Sequence, residues 1–216
     1  MLQKELHGHV QQFLDKKEFL GKDLRVTDEI KLTIAGNACL LLLQGNKRRF
    51  ENFKTIIVYP NTFMSNEVKY DGSLEHQEYS ARAGESWVRG PIVLSWKDTL
   101  KGSRKAGDGC NVVLHEFAHK LDEQNDIMDG LPILREKSDY EEWRDVFRKE
   151  YDALVKRAKR RKNKVLDEYG TTSPPEFFAV ATESFFEKPR RMQKKLPDLY
   201  AQLKKFYQVD PTTWLR

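Results

Sequence analysis

Cysteine is nearly absent from this chain: Cys39 and Cys110 are the only two among 216 residues. They lie far apart and form no CxxC pair, so they define no disulfide framework, and a reducing compartment fits best. Long apolar runs are absent as well. No stretch approaches the roughly 18 apolar residues of a membrane-spanning helix. The opening segment, MLQKELHGHVQQFLDKKEFL, carries charges throughout instead of an apolar signal core. A cytoplasmic protein with no membrane segment is expected; Met1 is equally compatible with a chain trimmed at its N-terminus. Strong charge of one sign is missing too. The 38 Lys and Arg against 33 Asp and Glu leave a net +5, too little to argue for nucleic acid as a direct partner. With 39% hydrophobic and 33% charged residues, the composition suits one soluble domain long enough to bury a real core.

Histidine is scarce and unevenly placed. Two of the five, His115 and His119, fall in residues 111–122, NVVLHEFAHKLD. At about 3.6 residues per turn they lie one turn apart on one helix face, so both rings can reach a common point while Glu116 points to the flank. Val112, Val113, Leu114, Phe117, Ala118 and Leu121 make the rest of the helix apolar almost all round, which marks it as core. Three ionisable groups there need a partner, and a metal makes them tolerable. Zinc held with an open position lowers the pKa of water to about 7, and Glu116 is placed to act as the base. The competing reading is a chance match in a core helix whose histidines are merely packed; two of five histidines in one apolar helix favour the metal.

The remaining chain reads as alternating helical and extended segments. Leu2, Leu6, Val10, Phe13 and Leu14 recur at helical spacing, predicting an amphipathic helix over 2–20 ended by Gly21. Its His7 and His9 are two apart, point away from each other and read as solvent residues. Thr27 is placed to cap a second helix whose apolar run, 30–43, belongs to the core. Residues 54–59 (KTIIVY) and 90–96 (GPIVLSW) read as strands. Pro91 suggests that the second is an edge strand, able to hold an extended peptide by main-chain pairing. Between them, 61–85 reads as loop-rich, with a turn at Asp71-Gly72 and His76 as a polar surface residue in preference to a third zinc ligand. Residues 101–109, KGSRKAGDG, read as a flexible loop, and 138–164 as a long helix with Tyr140, Trp143, Phe147, Tyr151 and Leu154 on one face and a solvated basic end.

A third ligand must come from elsewhere. A metzincin needs Gly three and His six residues after the second histidine, and those positions hold Asp122 and Asn125. Asp122 could steady a ligand imidazole from behind, or simply sit at a helix end. In residues 169–187, YGTTSPPEFFAVATESFFE, Ser173 is an N-cap, Pro174 the first helical residue and Glu176 the partner of a capping box. Glu183 follows seven residues later on the same face, among phenylalanines. Two carboxylates on an apolar face call for a cation, so Glu176 or Glu183 is preferred as a ligand over Glu142; Glu141 reads as solvent.

With HEFAHKLD and PPEFFAVATESFFE both in view, and with VTDEIKLTIAGNACLL, IIVYPNTF, GPIVLSW and LKKFYQVDP besides, the chain resembles the Mlc titration factor A family of zinc metallopeptidases. These are gluzincins related to the catalytic domain of anthrax lethal factor. The resemblance implies that His115, His119 and Glu176, the start of an ExxA motif, bind one Zn2+ per chain. It also implies that Glu116 is the catalytic glutamate and that Tyr169 stabilises the oxyanion, with Glu183 behind the ligands. The expectation is a single α+β, zincin-like domain, mainly helical with a small sheet and a central HExxH helix, divided into a helical N-terminal part (1–50) and a catalytic core (51–216). Its expected activity is aminopeptidase-like hydrolysis of peptide substrates. The alternative is a regulatory module that sequesters a transcriptional repressor, a partner the family name implies.

Overall fold

The computed structural model describes residues 2–44, 50–71, 74–86, 90–158 and 165–214, with the backbone alone described over 63–82. In chain order the elements are α1 (Leu2–Lys16), β1 (Glu18–Gly21), α2 (Asp28–Leu40), β2 (Thr55–Tyr59), β3 (Phe63–Asp71), β4 (Leu74–Arg82), β5 (Gly84–Ser86), β6 (Ile92–Ser95), α3 (Trp96–Arg104), α4 (Val112–Asp122), α5 (Asp139–Ala158), α6 (Pro174–Glu187), α7 (Pro189–Lys195) and α8 (Pro197–Tyr207). The chain is thus mainly helical with a small mixed sheet. Local chemistry sets many of the boundaries. Thr27, Ser95, Asn111 and Ser173 each cap a helix by accepting a hydrogen bond from a backbone N–H in its first turn.

One sheet has the order β1-β2-β6-β5, parallel except for β5, which runs antiparallel to β6. This corrects the edge assignment: β6 lies inside the sheet with all four residues buried, and β5 is the edge. Pro91 precedes β6, so its missing N–H removes no ladder bond. The first helix also stops short of residue 20. Lys17 N–H closes α1 on Phe13 O, and Glu18 N–H already donates to Lys54 O beside β2. The backbone of 18–21 finds its partners across the sheet, a choice that helical periodicity cannot register. Similarly, α2 ends at Leu40, followed by a turn.

The expected loop over 61–85 is instead an antiparallel ribbon, β3 with β4, leading into β5. His76 lies on β4 opposite Lys69, and its side chain is outside the described residues. Residues 101–104 form the last turn of α3, so the loop begins only at Lys105. Likewise α5 ends at Ala158, and the basic stretch 159–164 lies outside the described residues.

α4 runs through the middle of the core, packed on α6 and against α2, α3, β5 and β6. Phe117 is fully buried among Phe13, Phe50 and Phe53, and truncating such a ring costs about 3–5 kcal/mol. On the other side of α6, Phe177 and Phe178 meet Phe147 and Trp143 of α5. These two aromatic clusters clamp α4 and α6 face to face.

Candidate metal centre

Asn111 starts α4 by accepting from Leu114 N–H, which turns His115 and His119 toward α6. Ser173 caps α6 in the same way, accepting from Glu176 N–H. The side chain of Glu176 is thereby free to face α4. His115 Nε2 lies 2.9 Å from Glu176 Oε2 and 3.3 Å from His119 Nε2, and His119 Nε2 lies 3.4 Å from the same carboxylate oxygen. Among the described residues these three form the grouping of His, Cys and carboxylate side chains able to hold a metal ion.

Ligand atoms about 2.0–2.1 Å from a tetrahedral centre stand about 3.3 Å apart. Two of the separations, 3.3 and 3.4 Å, match that edge, the third at 2.9 Å is shorter, and two imidazoles with one carboxylate are a donor set suited to zinc with one position open. Exposure fits as well: the side chains are 11% exposed for His115, 6% for His119 and 21% for Glu176, enough to admit a ligand from one side only.

Glu183, two turns along α6 from Glu176, places Oε1 2.8 Å from His115 Nδ1. With Nδ1 donating to this carboxylate, Nε2 is the nitrogen that faces Glu176 and His119, and once it gives up its own proton its lone pair is the one offered to a metal. Burial opposes the His115 imidazolium, but hydrogen bonds to Glu176 and Glu183 outweigh it and hold the ring well above the ordinary imidazole range. For Glu176, burial acts to raise the carboxyl, and the two histidines overcome it and hold it well below the usual carboxylate range. The Glu176 carboxylate therefore stays ionised at neutral pH, as a ligand requires.

Asp122, considered from sequence as a prop for a ligand imidazole, is buried at the last residue of α4, near enough to His119 for the two to interact electrostatically. Its Oδ2 accepts from Gly130 N–H at 2.8 Å, while neither its Oδ1 nor His119 Nδ1 has a hydrogen-bond partner among the described residues. Burial, opposed by the Gly130 N–H, pushes its carboxyl up to about 7. Tyr169 sits in a 3-10 turn, Glu168–Thr171, 49% exposed, with its ring centroid 5.9 Å from that of His115. Buried Gly170 lets this turn lie against α5 and α6, since a β-carbon there would meet Leu154 and Val180 at 3.3 Å. Glu141 and Glu142 are exposed on α5.

A cavity of about 320 Å³ opens beside His115, Glu116, Tyr169 and Glu183, walled by β5, α3 and the 108–112 segment. Glu116 is 5% exposed and faces Gly84 of β5. Sequence reasoning missed Gly84 and the side chain of Asn111. An isolated glycine after a polar hairpin carries no signal of its own, whereas Asn111 preceding an apolar helix is a readable cap.

Comparison with known proteins now bears on this geometry. The family described as glucose-regulated metallo-peptidase M90 matches residues 1–208. The chain belongs to the M90 family. "Mlc titration factor A" of Escherichia fergusonii is 33% identical over 223 residues, covering 99% of this chain and 82% of the relative. The same-named protein of Pectobacterium atrosepticum is 31% identical, with 99% and 81% coverage. "Uncharacterized protein slr2042" of Synechocystis sp. is 39% identical over 211 residues, covering 96% and 77%. Membership of M90 makes this chain a metallopeptidase relative in which the His115, His119 and Glu176 triad could bind the metal. Among the described residues of the M90 chain, no helix is long and apolar enough to cross a membrane.

Proposed function

We propose that this M90 chain is a zinc-dependent peptidase of the gluzincin type, working on peptides in the cytoplasm. The observation that carries the reading is the triangle of His115 Nε2, His119 Nε2 and Glu176 Oε2, with edges of 2.9–3.4 Å, next to a buried glutamate and an open cavity. A zinc ion held by these three residues would supply Lewis-acid polarisation and make water acidic enough to deprotonate near neutral pH.

The protein's own groups do the rest. Glu116 takes the proton of the attacking water and returns it to the leaving amine. The Tyr169 hydroxyl donates to the oxygen on which charge develops. Glu183 keeps the proton of His115 on Nδ1. β5 is the edge strand of the four-stranded sheet and borders the cavity, a position from which main-chain pairing can hold an extended substrate. Aminopeptidase-like cleavage of short substrates is the activity that the family resemblance favours.

The name of the relatives supports a second reading, in which the surface sequesters a transcriptional repressor and catalysis is secondary. Zinc content and hydrolysis of aminoacyl and internally quenched peptides, measured for wild type, Glu116→Gln and Glu176→Ala, separate the two. The peptidase reading expects one zinc and cleavage in wild type, zinc without cleavage in Glu116→Gln, and loss of metal in Glu176→Ala. Wild type that binds zinc and cleaves nothing, or fully active Glu116→Gln, overturns it in favour of the binding module.

A further inference from the structure

Asn111 makes more hydrogen bonds than a helix cap needs, and its two backbone groups both lead to His115. It is 2% exposed. Its carbonyl accepts from His115 N–H at 3.0 Å, as the first intrahelical bond of α4. Its own N–H donates to Glu183 Oε2 at 2.6 Å, and the other oxygen of that carboxylate holds His115 Nδ1 at 2.8 Å. A closed ring results: Asn111 grips the backbone of His115 directly and its imidazole through Glu183.

The side chain fixes this ring to the rest of the molecule. Oδ1 caps α4 through Leu114 N–H at 3.2 Å, while Nδ2 donates to Asn37 Oδ1 at 2.8 Å and to Glu187 Oε1 at 3.4 Å. Asn37 is itself tied across to α3, donating to Ser103 Oγ at 3.1 Å. Glu187 accepts from Gly107 N–H at 2.7 Å, in the loop that walls the cavity. α3 closes on the same spot, since a β-carbon on Gly102 would stand 3.1 Å from Asn111 Cα.

We propose that Asn111 is a positioning residue for the metal centre, holding Glu183 and the His115 ring in register with α2, α3 and the cavity wall; this rests on the reading of His115 as a metal ligand. The residue type follows from the donors required. Serine or aspartate would cap α4 equally well, but neither supplies the two amide N–H groups, and aspartate would set a third carboxylate against Glu183 and Glu187.

Asn111→Ser and Asn111→Asp therefore keep the cap and remove the tie, and Asn37→Ala removes the tie from α2 without touching α4. Two readouts apply: zinc affinity by chelator competition, and the downfield Nδ1–H proton resonance of His115 in metal-free protein. The expected result is a zinc affinity weakened about 10–100-fold and a broadened or lost Nδ1–H signal, with helix content by circular dichroism retained. Wild-type affinity and an intact signal in variants that differ only in melting temperature would reduce Asn111 to a helix cap. If the Asn111 variants do not fold, Asn37→Ala decides by the same two readouts. Should wild type take up no zinc, the ligand reading fails, while the Nδ1–H signal still judges Asn111 by itself.

Discussion

A single methyl group at position 84 should cripple turnover without removing the metal. A β-carbon on Gly84 would stand 2.5 Å from Glu116 Oε1 and 2.7 Å from both Glu116 Cγ and Val112 Cγ2. Ordinary contact begins at 3.4 Å, so some group must give way by about 0.9 Å. The strand cannot easily retreat, because Gly84 is paired with Leu94 and the preceding Ala83 O accepts from Ser95 N–H at 2.8 Å. Gly84 also lacks a left-handed φ, so alanine adds steric pressure and no backbone strain.

Glu116 is then the group that moves. A displacement of about 1 Å in a catalytic group costs on the order of 100-fold in rate, and the overpacking itself costs about 1–3 kcal/mol. For Gly84→Ala, kcat with an internally quenched peptide should fall about 100-fold, with zinc stoichiometry unchanged and melting lowered by about 3 °C per kcal/mol. Wild-type kcat in a folded, zinc-loaded Gly84→Ala protein would refute the reasoning, since Glu116 would then tolerate displacement that a positioned base cannot.

Three further outcomes follow from buried charge. Lys120, with no exposed side-chain surface, donates to Glu123 Oε1 at 3.0 Å and Gly90 O at 3.1 Å; Lys120→Met takes the cation from the buried Glu123 carboxylate, leaving it the Asn52 amide donor at 2.5 Å, and should cost about 3–5 kcal/mol by urea denaturation, largely recovered in Lys120→Met with Glu123→Leu. A double variant no more stable than Lys120→Met would contradict this. The Asp122 carboxyl, raised from 3.8 to about 7 by burial, lets the folded state bind more protons, so its contribution to stability declines as pH rises from about 4 to about 7, by about 4 kcal/mol. Asp122→Asn in metal-free protein should match wild type near pH 4 and exceed it at pH 8, and parallel pH profiles would exclude the idea. Because His115 is held in its protonated form well above the ordinary range against its burial, zinc binding at pH 7 should release a proton. Calorimetry in buffers of different ionisation enthalpy measures this, and identical heats would rule it out.

Much of this protein is written in short windows of sequence. The i, i+4 spacing of His115 and His119, the caps at Thr27, Asn111 and Ser173, and the apolar face of Trp143, Phe147 and Leu154 all depend on residues within a turn or two of each other. Local rules suffice for them. The same holds for Pro174 and Glu176 at the start of α6, which put a carboxylate at a helix N-terminus whatever lies opposite.

Other features depend on which element comes to lie beside which, and there the sequence was silent or misleading. Residues 18–21 became a strand because β2 supplied backbone partners, and β5, not β6, became the edge because a polar ribbon delivered three residues antiparallel to β6. The division of labour between Glu176 and Glu183 was open on chemistry alone. Docking α6 on α4 put Glu176 between the Nε2 atoms and Glu183 behind Nδ1. Gly84 and the amide of Asn111 acquire meaning only from neighbours far along the chain, Glu116 and Val112 for the one and Asn37 for the other. Hydrogen bonds and steric contacts act over a few ångströms, so one sequence records them when the partners are a helical turn apart; when they are brought together by the fold, only the tertiary structure decides.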